Sequence, residues 1–172
     1  MALSKIAVTA ADLPSGSVLQ VVQDIETAAS SEDLSVGAFS AAILSASITP
    51  SSASSKILVI CSLNLATETT TAGAAALIKR GSTSIGLGDA AGGGTQATGG
   101  GFGSSVNGRI ISNIAMTILD SPSTTSSVTY TAHGKTGLNG TAFLFWNREQ
   151  QSTTNSSHNR VSSTLTLMEI AG

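Results

Sequence analysis

The sequence predicts a single all-β domain, an antiparallel β-sandwich of about eight strands with a jelly-roll-like order. From residue 17 onward, short apolar segments are separated by clusters of Ser, Gly, Pro and Asn, a rhythm typical of sandwiches and barrels. Several of these segments carry apolar residues at every second position, which is the period of a strand with one buried face. No segment carries a clear helical pattern, so we expect two packed sheets and no substantial helix.

The clearest strand covers residues 57–65. Its alternate positions are apolar: Ile57, Val59, Cys61, Leu63 and Leu65. Lys56, Ser62 and Asn64 fall on the opposite face, so we expect one face of this strand to be buried.

Four further strands are predicted along the chain. Residues 36–48 alternate weakly and stop at Pro50, and residues 74–78 lead into the hairpin turn Arg80-Gly81-Ser82 before Ile85. Residues 127–133 alternate again through Val128, Tyr130 and Ala132. Residues 160–172 close the chain, with Leu165 and Leu167 on one face and Met168 and Ile170 on the other.

Two segments fit a helix face as well as a strand. Residues 18–25 contain Val18, Leu19, Val22 and Ile25, and residues 110–119 contain several isoleucines. The spacing of these residues fits one face of a helix as well as a strand. The β-branched side chains favour a strand in both segments.

Residues 143–146, FLFW, are apolar at every position. Such a strand is central in its sheet, or a neighbouring subunit covers its second face. This segment and the weakly charged composition predict a homo-oligomer, because oligomer interfaces are rich in apolar and aromatic groups at their centre.

We divide the chain into an N-terminal docking arm, residues 1–15, and one β-sandwich domain, residues 16–172. The arm precedes the β rhythm, ends at Pro14, and carries Leu3, Ile6 and Val8, which could lie along a partner's surface. A segment of this kind becomes ordered when it docks.

Composition restricts the function. Charged residues make up 10% of the chain and the net charge is −2, so nothing indicates binding to nucleic acid. No stretch has the roughly 18 apolar residues of a membrane helix, and the first residues lack the layout of a signal peptide, so we expect synthesis in the cytoplasm without processing. The single cysteine, Cys61, is expected to be buried and inert.

The residues that could support catalysis are few. His133 and His158 are the only histidines, neither has metal-ligand spacing to another ligand, and we interpret both as surface residues. No Gly-x-Ser-x-Gly elbow is present, and no pair of carboxylates is selected as a glycosidase pair. We therefore predict no enzyme activity, no catalytic residue, no metal site and no cofactor.

Residues 90–103, AAGGGTQATGGGFG, form a low-complexity segment that we interpret as a loop at one end of the sandwich. Gly99, Gly100, Gly101 and Phe102 are a candidate contact tip, with Phe102 as the apolar anchor, for a neighbouring subunit or a host surface. The alternative is a flexible hairpin loop without a binding role.

Five segments, in order along the chain, resemble a group of tailed-phage proteins of the kind found in marine and cyanobacterial phages and described as tail fibre-like. They are residues 15–23 (SGSVLQVVQ), 48–59 (ITPSSASSKILV), 80–90 (RGSTSIGLGDA), 119–130 (LDSPSTTSSVTY) and 165–172 (LTLMEIAG). The resemblance implies a virion component, often a trimeric β-structure, and it implies no catalytic residues.

We therefore expect a non-catalytic structural protein of a tailed phage, made in the host cytoplasm and located in the virion. It would be a short tail fibre, an appendage or a surface decoration that associates with itself and, through the arm, with other virion proteins. The alternatives are a receptor- or glycan-binding module at a fibre tip and an enzyme such as a depolymerase.

Overall fold

The computed structural model describes residues 13–68, 73–101, 110–137, 140–151 and 156–172. These residues form strands joined by short connections, with one short 3₁₀ turn at Ala91–Gly93. In chain order the strands are β1 (Val18–Glu26), β2 (Ser30–Leu34), β3 (Leu44–Ile48), β4 (Lys56–Thr67), β5 (Ala74–Arg80), β6 (Thr83–Ile85), β7 (Gly99–Gly101), β8 (Ser112–Asp120), β9 (Val128–Thr136), β10 (Ala142–Trp146) and β11 (Ser163–Ile170).

The strands form two antiparallel sheets with jelly-roll topology. The six-stranded sheet has the order β1-β11-β4-β10-β2, with β8 on the free edge of β4, and the five-stranded sheet has the order β3-β9-β5-β6, with β7 also on β5. Three pairs lie end to end: β10 with β11 along β4, β6 with β7 along β5, and β1 with β2 along β11 and β10. The eleven segments therefore occupy eight positions, ordered 1-8-3-6 in one sheet and 2-7-4-5 in the other, and the predicted sandwich is confirmed.

The core lies between the two sheets and consists of the inward residues of both. β4 supplies five of them, Ile57, Val59, Cys61, Leu63 and Leu65, each at most 1% exposed, as the alternation predicted. Leu165 and Leu167 of β11 pack beside them, and Leu44, Ile78 and Tyr130 come from the opposite sheet.

Both segments with two possible patterns are strands, β1 and β8. Ile114 and Met116 of β8 enter the core, whereas Ala115 and Thr117 point outward. The β-branched content therefore decided correctly between strand and helix.

The glycine-rich segment is partly a strand, which corrects the prediction of a loop over residues 90–103. Gly99–Gly101 form β7 and pair with Ala74–Ala76 of β5. A Cβ atom at Gly99 would lie 2.9 Å from atoms of Ile114 and Met116, because β7 closes against β8 of the other sheet. Glycine is needed here for this close approach.

The predicted hairpin after β5 is confirmed: Arg80 pairs with Thr83, and Gly81 has the positive φ of 56° that a tight turn requires.

The strand β10 is central, lying between β2 and β4, which agrees with the first of the two interpretations of residues 143–146. Leu144 points into the core and is fully buried. Phe143 and Phe145 lie on the outer face and stack with their ring centroids 6.0 Å apart. Phe143 is exposed, whereas Phe145 is buried, with Arg148 4.8 Å over its ring.

Candidate interaction surface

The outer face of the six-stranded sheet carries an apolar row that crosses four strands. In one cross-strand register lie Val21 of β1, Met168 of β11, Leu58 of β4 and Leu119 of β8. Strands in a sheet are about 4.8 Å apart, so the row is continuous over about 15 Å. We call this feature the apolar row.

The row is open to solvent in the isolated chain. Val21 is 55% exposed and Leu119 is 54% exposed at its two ends, and Leu58 and Met168 are half-buried between them. Val18 and Ile170 form a second apolar pair on one side of the row, and Ile60 of β4 lies on its other side. Exposed apolar patches of a few hundred Å² mark interaction sites in soluble proteins.

Charge is scarce on this face. The neighbouring register contains Gln23, Thr166, Ile60 and Thr117, all uncharged. The outward residues of residues 18–25, 56–62, 115–119 and 164–170 include one charged side chain, Lys56, at the border of the face. The face is therefore apolar at its centre and hydroxyl- or amide-bearing around it.

The outer face of the five-stranded sheet has the opposite character. Its cross-strand neighbours are Ser45, Thr131, Lys79 and Ser84 in one register and Ser47 and Thr129 in the next. The Ser47 and Thr129 hydroxyls hydrogen-bond to each other at 2.7 Å. These residues are polar, whereas Leu77 and His133, which lie on the same face, are buried. The exposed parts of the two outer faces therefore differ in chemistry.

The interpretation of both histidines as surface residues was wrong: His133 is buried, and the side chain of His158 is 4% exposed. His133 of β9 donates through Nδ1 to the Ser40 carbonyl, and its Nε2 accepts from the Thr131 hydroxyl, each at 2.9 Å. Burial lowers the pKa of His133, so the ring is neutral and both nitrogens are used structurally.

His158 belongs to a buried polar cluster around Glu149. Glu149 is 1% exposed; its Oε2 accepts from His158 Nδ1 at 2.9 Å, and its Oε1 accepts from the backbone and side-chain amides of Asn159. Burial raises the pKa of Glu149, but the hydrogen bonds from Asn159 and His158 outweigh burial and hold that pKa below its ordinary value. The carboxylate therefore stays ionised and organises the connection between β10 and β11.

Asn147 closes the base of that connection. It adopts a positive φ of 57°, which asparagine tolerates, and it is fully buried. Its side chain donates to the Glu26 and Ala28 carbonyls at the break between β1 and β2, and it accepts from the Ser163 hydroxyl at 2.7 Å. One side chain thus joins two collinear strand pairs.

Glu169 is a second buried carboxylate, at the end of β11. It is fully buried, on the same face as Leu165 and Leu167, and it accepts from Ser51 N–H and Oγ at 2.7 Å each and from Gln20 Nε2 at 2.6 Å. Burial raises the pKa of this carboxyl, and the hydrogen bonds from Ser51 and Gln20 outweigh it, so the net shift is downward. Glu169 therefore ties β11 to the connection after β3.

A third cluster lies at one end of the sandwich. Arg80 Nη1 contacts both carboxylate oxygens of Asp120, at 2.9 and 3.0 Å, and the Tyr130 hydroxyl donates to Asp120 at 2.6 Å. Burial and the bond to Asp120 raise the pKa of Tyr130. Beside this cluster lies an open groove of about 390 Å³, lined by Arg80, Pro122 and the hydroxyl-bearing residues Thr124, Ser127 and Thr129.

Cys61 lies on the inward face of β4, as predicted from its alternation with the leucines. It is 1% exposed, and burial raises the pKa of its thiol to about 12. The thiol is therefore protonated and inaccessible at neutral pH.

The two predicted contact elements are described only in part. Gly99, Gly100 and Gly101 lie in β7, whereas Phe102 lies outside the described residues, as do Leu3, Ile6 and Val8 of the docking arm. Residues 15–17 are described: the Gly16 N–H donates to the Ala171 carbonyl at 2.8 Å, and the Ala171 N–H donates to the Ser17 carbonyl at 2.8 Å. Gly16 and Ser17 are therefore bonded to the residue that follows β11.

Within the described ranges, no three metal-ligating side chains converge, and no helix reaches the length and apolarity that a membrane crossing would take. No protein-family model matches the sequence, and no curated protein is significantly similar to it.

Proposed function

We propose that this chain is a non-catalytic structural subunit of a tailed-phage particle: a short tail fibre, an appendage or a surface decoration. It assembles as a homo-oligomer, which we expect to be a trimer. The observation that carries the proposal is the exposed, nearly uncharged apolar face on a sandwich whose other outer face is polar. A rigid sandwich with one such face is suited to packing against other subunits.

The bonding of the buried titratable groups supports a structural role. His133 and Glu169 have hydrogen-bond partners in distant parts of the chain, and Glu149 is bonded within the connection between β10 and β11. A general acid or base must reach a substrate proton, and these groups are occupied by structural partners and shielded from solvent. Their arrangement stabilises the sandwich.

The resemblance to tail fibre-like proteins supports the virion setting. In this proposal the arm, residues 1–15, attaches the subunit to other virion proteins, and neither nucleic acid nor a cofactor takes part. Residues 15–17 bond to Ala171, so a deletion that tests the arm should end at residue 12. The truncated subunit should keep its melting temperature while its incorporation into particles falls, and failure to fold would contradict the assignment.

Two measurements test the proposal. Light scattering of the purified protein at micromolar concentration should give a multiple of the 17.1 kDa chain mass. Gold-labelled antibody against the protein should decorate intact particles of the phage that encodes it at a fixed location. Particles that carry no label, with the protein found only in the soluble lysate, would overturn the virion assignment.

A second candidate function is receptor or glycan binding at a fibre tip. The groove beside Arg80 favours it, because a guanidinium and three hydroxyl-bearing residues line one open cavity. A glycan array separates the two functions: specific binding that Ser127→Ala and Thr124→Ala reduce would assign the groove this role.

A further inference from the structure

We propose that the apolar row and its flanking residues form the surface through which copies of this chain associate, with the same faces of the other two copies of the proposed trimer as partners around its three-fold axis. This inference rests on the proposed function, because it names the contact of the homo-oligomer. It starts from the register, which brings one apolar residue from each of four strands into line: Val21, Met168, Leu58 and Leu119.

The two residues at the ends of the row leave most of their apolar surface exposed to solvent. Val21 and Leu119 lie on β1 and β8, the outermost strands of the sheet, and each exposes more than half of its surface. Val18 and Ile25, also outward on β1, are each 52% exposed. An apolar face that spans its sheet from edge to edge gains most from a partner that covers the whole face.

The size of the face fits a subunit contact. Four strand positions about 4.8 Å apart and about nine residues of about 3.4 Å each make a face of roughly 19 by 30 Å. Protruding side chains make the accessible area of the face larger than this flat rectangle. It is therefore of the same order as the roughly 800 Å² that each partner contributes to a stable protein interface.

The charge of the face selects the partner. Lys56 is the one charged outward residue on the four strands that carry the row, and Asp33 lies on the same outer face but on β2, outside the row. A highly charged partner would therefore lose hydration at the row without gaining an ion pair there. A second copy brings an equally uncharged apolar centre with Thr and Gln around it, which reproduces the apolar core and polar rim of a protein interface. Lys56 lies at the border, where it stays in water.

The test compares two identical substitutions at two exposed valines. Val21 lies in the row, whereas Val36, 61% exposed, lies in the connection between β2 and β3. Sedimentation equilibrium of the full chain should show that Val21→Glu raises the dissociation constant roughly 100-fold or more, because it places a charge in an apolar contact. Val36→Glu should leave the constant unchanged.

Leu119→Glu provides an independent check from the opposite edge of the sheet and should act like Val21→Glu. Circular dichroism and the melting temperature establish that each variant is folded. Wild-type oligomers that persist in both Val21→Glu and Leu119→Glu would overturn the assignment of this face and leave the proposed function standing. A wild-type chain that is monomeric throughout the micromolar range would overturn both.

Discussion

At the scale of single residues, the buried carboxylates are the least expected feature. Glu169 continues the inward positions of Leu165 and Leu167, so strand parity alone places it in the core. Its donors, Ser51 and Gln20, lie far away in the sequence, and nothing in the local pattern identifies them. Glu149 and His158 are joined only by the return of the chain between β10 and β11. Strand parity indicates the inward position of Glu169 but not that of Glu149, which lies outside the strands, and the local pattern identifies the partners of neither carboxylate.

The two carboxylates make the fold sensitive to acid. Each has a folded-state pKa below its ordinary value of 4.5, so its stabilising contribution is complete above that value and is lost as the pH falls toward the folded-state pKa. The free energy of unfolding, measured by urea titration, should therefore decrease as the pH falls below about 4.5.

Glu169→Gln tests one source of this dependence. At about pH 7 the variant should lose about 1–3 kcal/mol, because an amide nitrogen then faces donors from Ser51 or Gln20. Its loss of stability on acidification should be smaller than that of the wild type. Asp33→Asn, at an exposed position of β2, is the matched control and should keep the wild-type profile. Equal pH profiles for Glu169→Gln and the wild type would contradict the role of Glu169.

Cys61 gives a second test at this scale. Native protein should react with a thiol reagent only after unfolding, since the thiol is buried and its pKa is raised to about 12. Cys61→Ala should cost about 1 kcal/mol, the effect of a small cavity, and leave assembly unchanged. Rapid labelling in the absence of denaturant would show that the inward face of β4 is wrongly assigned.

At the scale of elements, alternation and β-branched residues predicted most strands, including the two segments that also fit a helix. Short strands and interruptions of strands were not predicted. β7 consists of glycine, which has little β propensity, and it forms because β5 offers a free edge and β8 approaches closely. The local sequence likewise gives no signal for the break between β10 and β11, because Asn147 and its distant partners hold it.

Two neighbouring glycines test the assignment of β7. Gly99→Ala should destabilise the protein by about 1–3 kcal/mol, because the added methyl group overlaps Ile114 and Met116. Gly100→Ala meets nothing closer than 3.8 Å and should change stability by less than about 0.5 kcal/mol. Thermal unfolding of both variants decides the matter. Equal effects would indicate that this segment is a projecting loop, as the sequence alone suggested.

At the scale of the whole molecule, the rhythm of the segments was enough to predict a jelly-roll-like sandwich. The apolar row was not predicted, because its four residues belong to segments far apart in the sequence. On β4 the alternation predicted that Ile57 and Val59 face the core. Leu58 and Ile60 lie on the other face and are also apolar. Only the pairing registers show that Leu58 lies beside Met168 and Leu119.

Met168 lies at the centre of the row and reports directly on whether another copy covers it. The measurement is the rate of methionine oxidation by dilute peroxide, read residue by residue by mass spectrometry of peptides. In the assembled wild type Met168 should be oxidised several times more slowly than in Val21→Glu, while Met116, 5% exposed in the core, should react slowly in both. Equal rates at Met168 in the two proteins would contradict a self-associating subunit with this face at its contact.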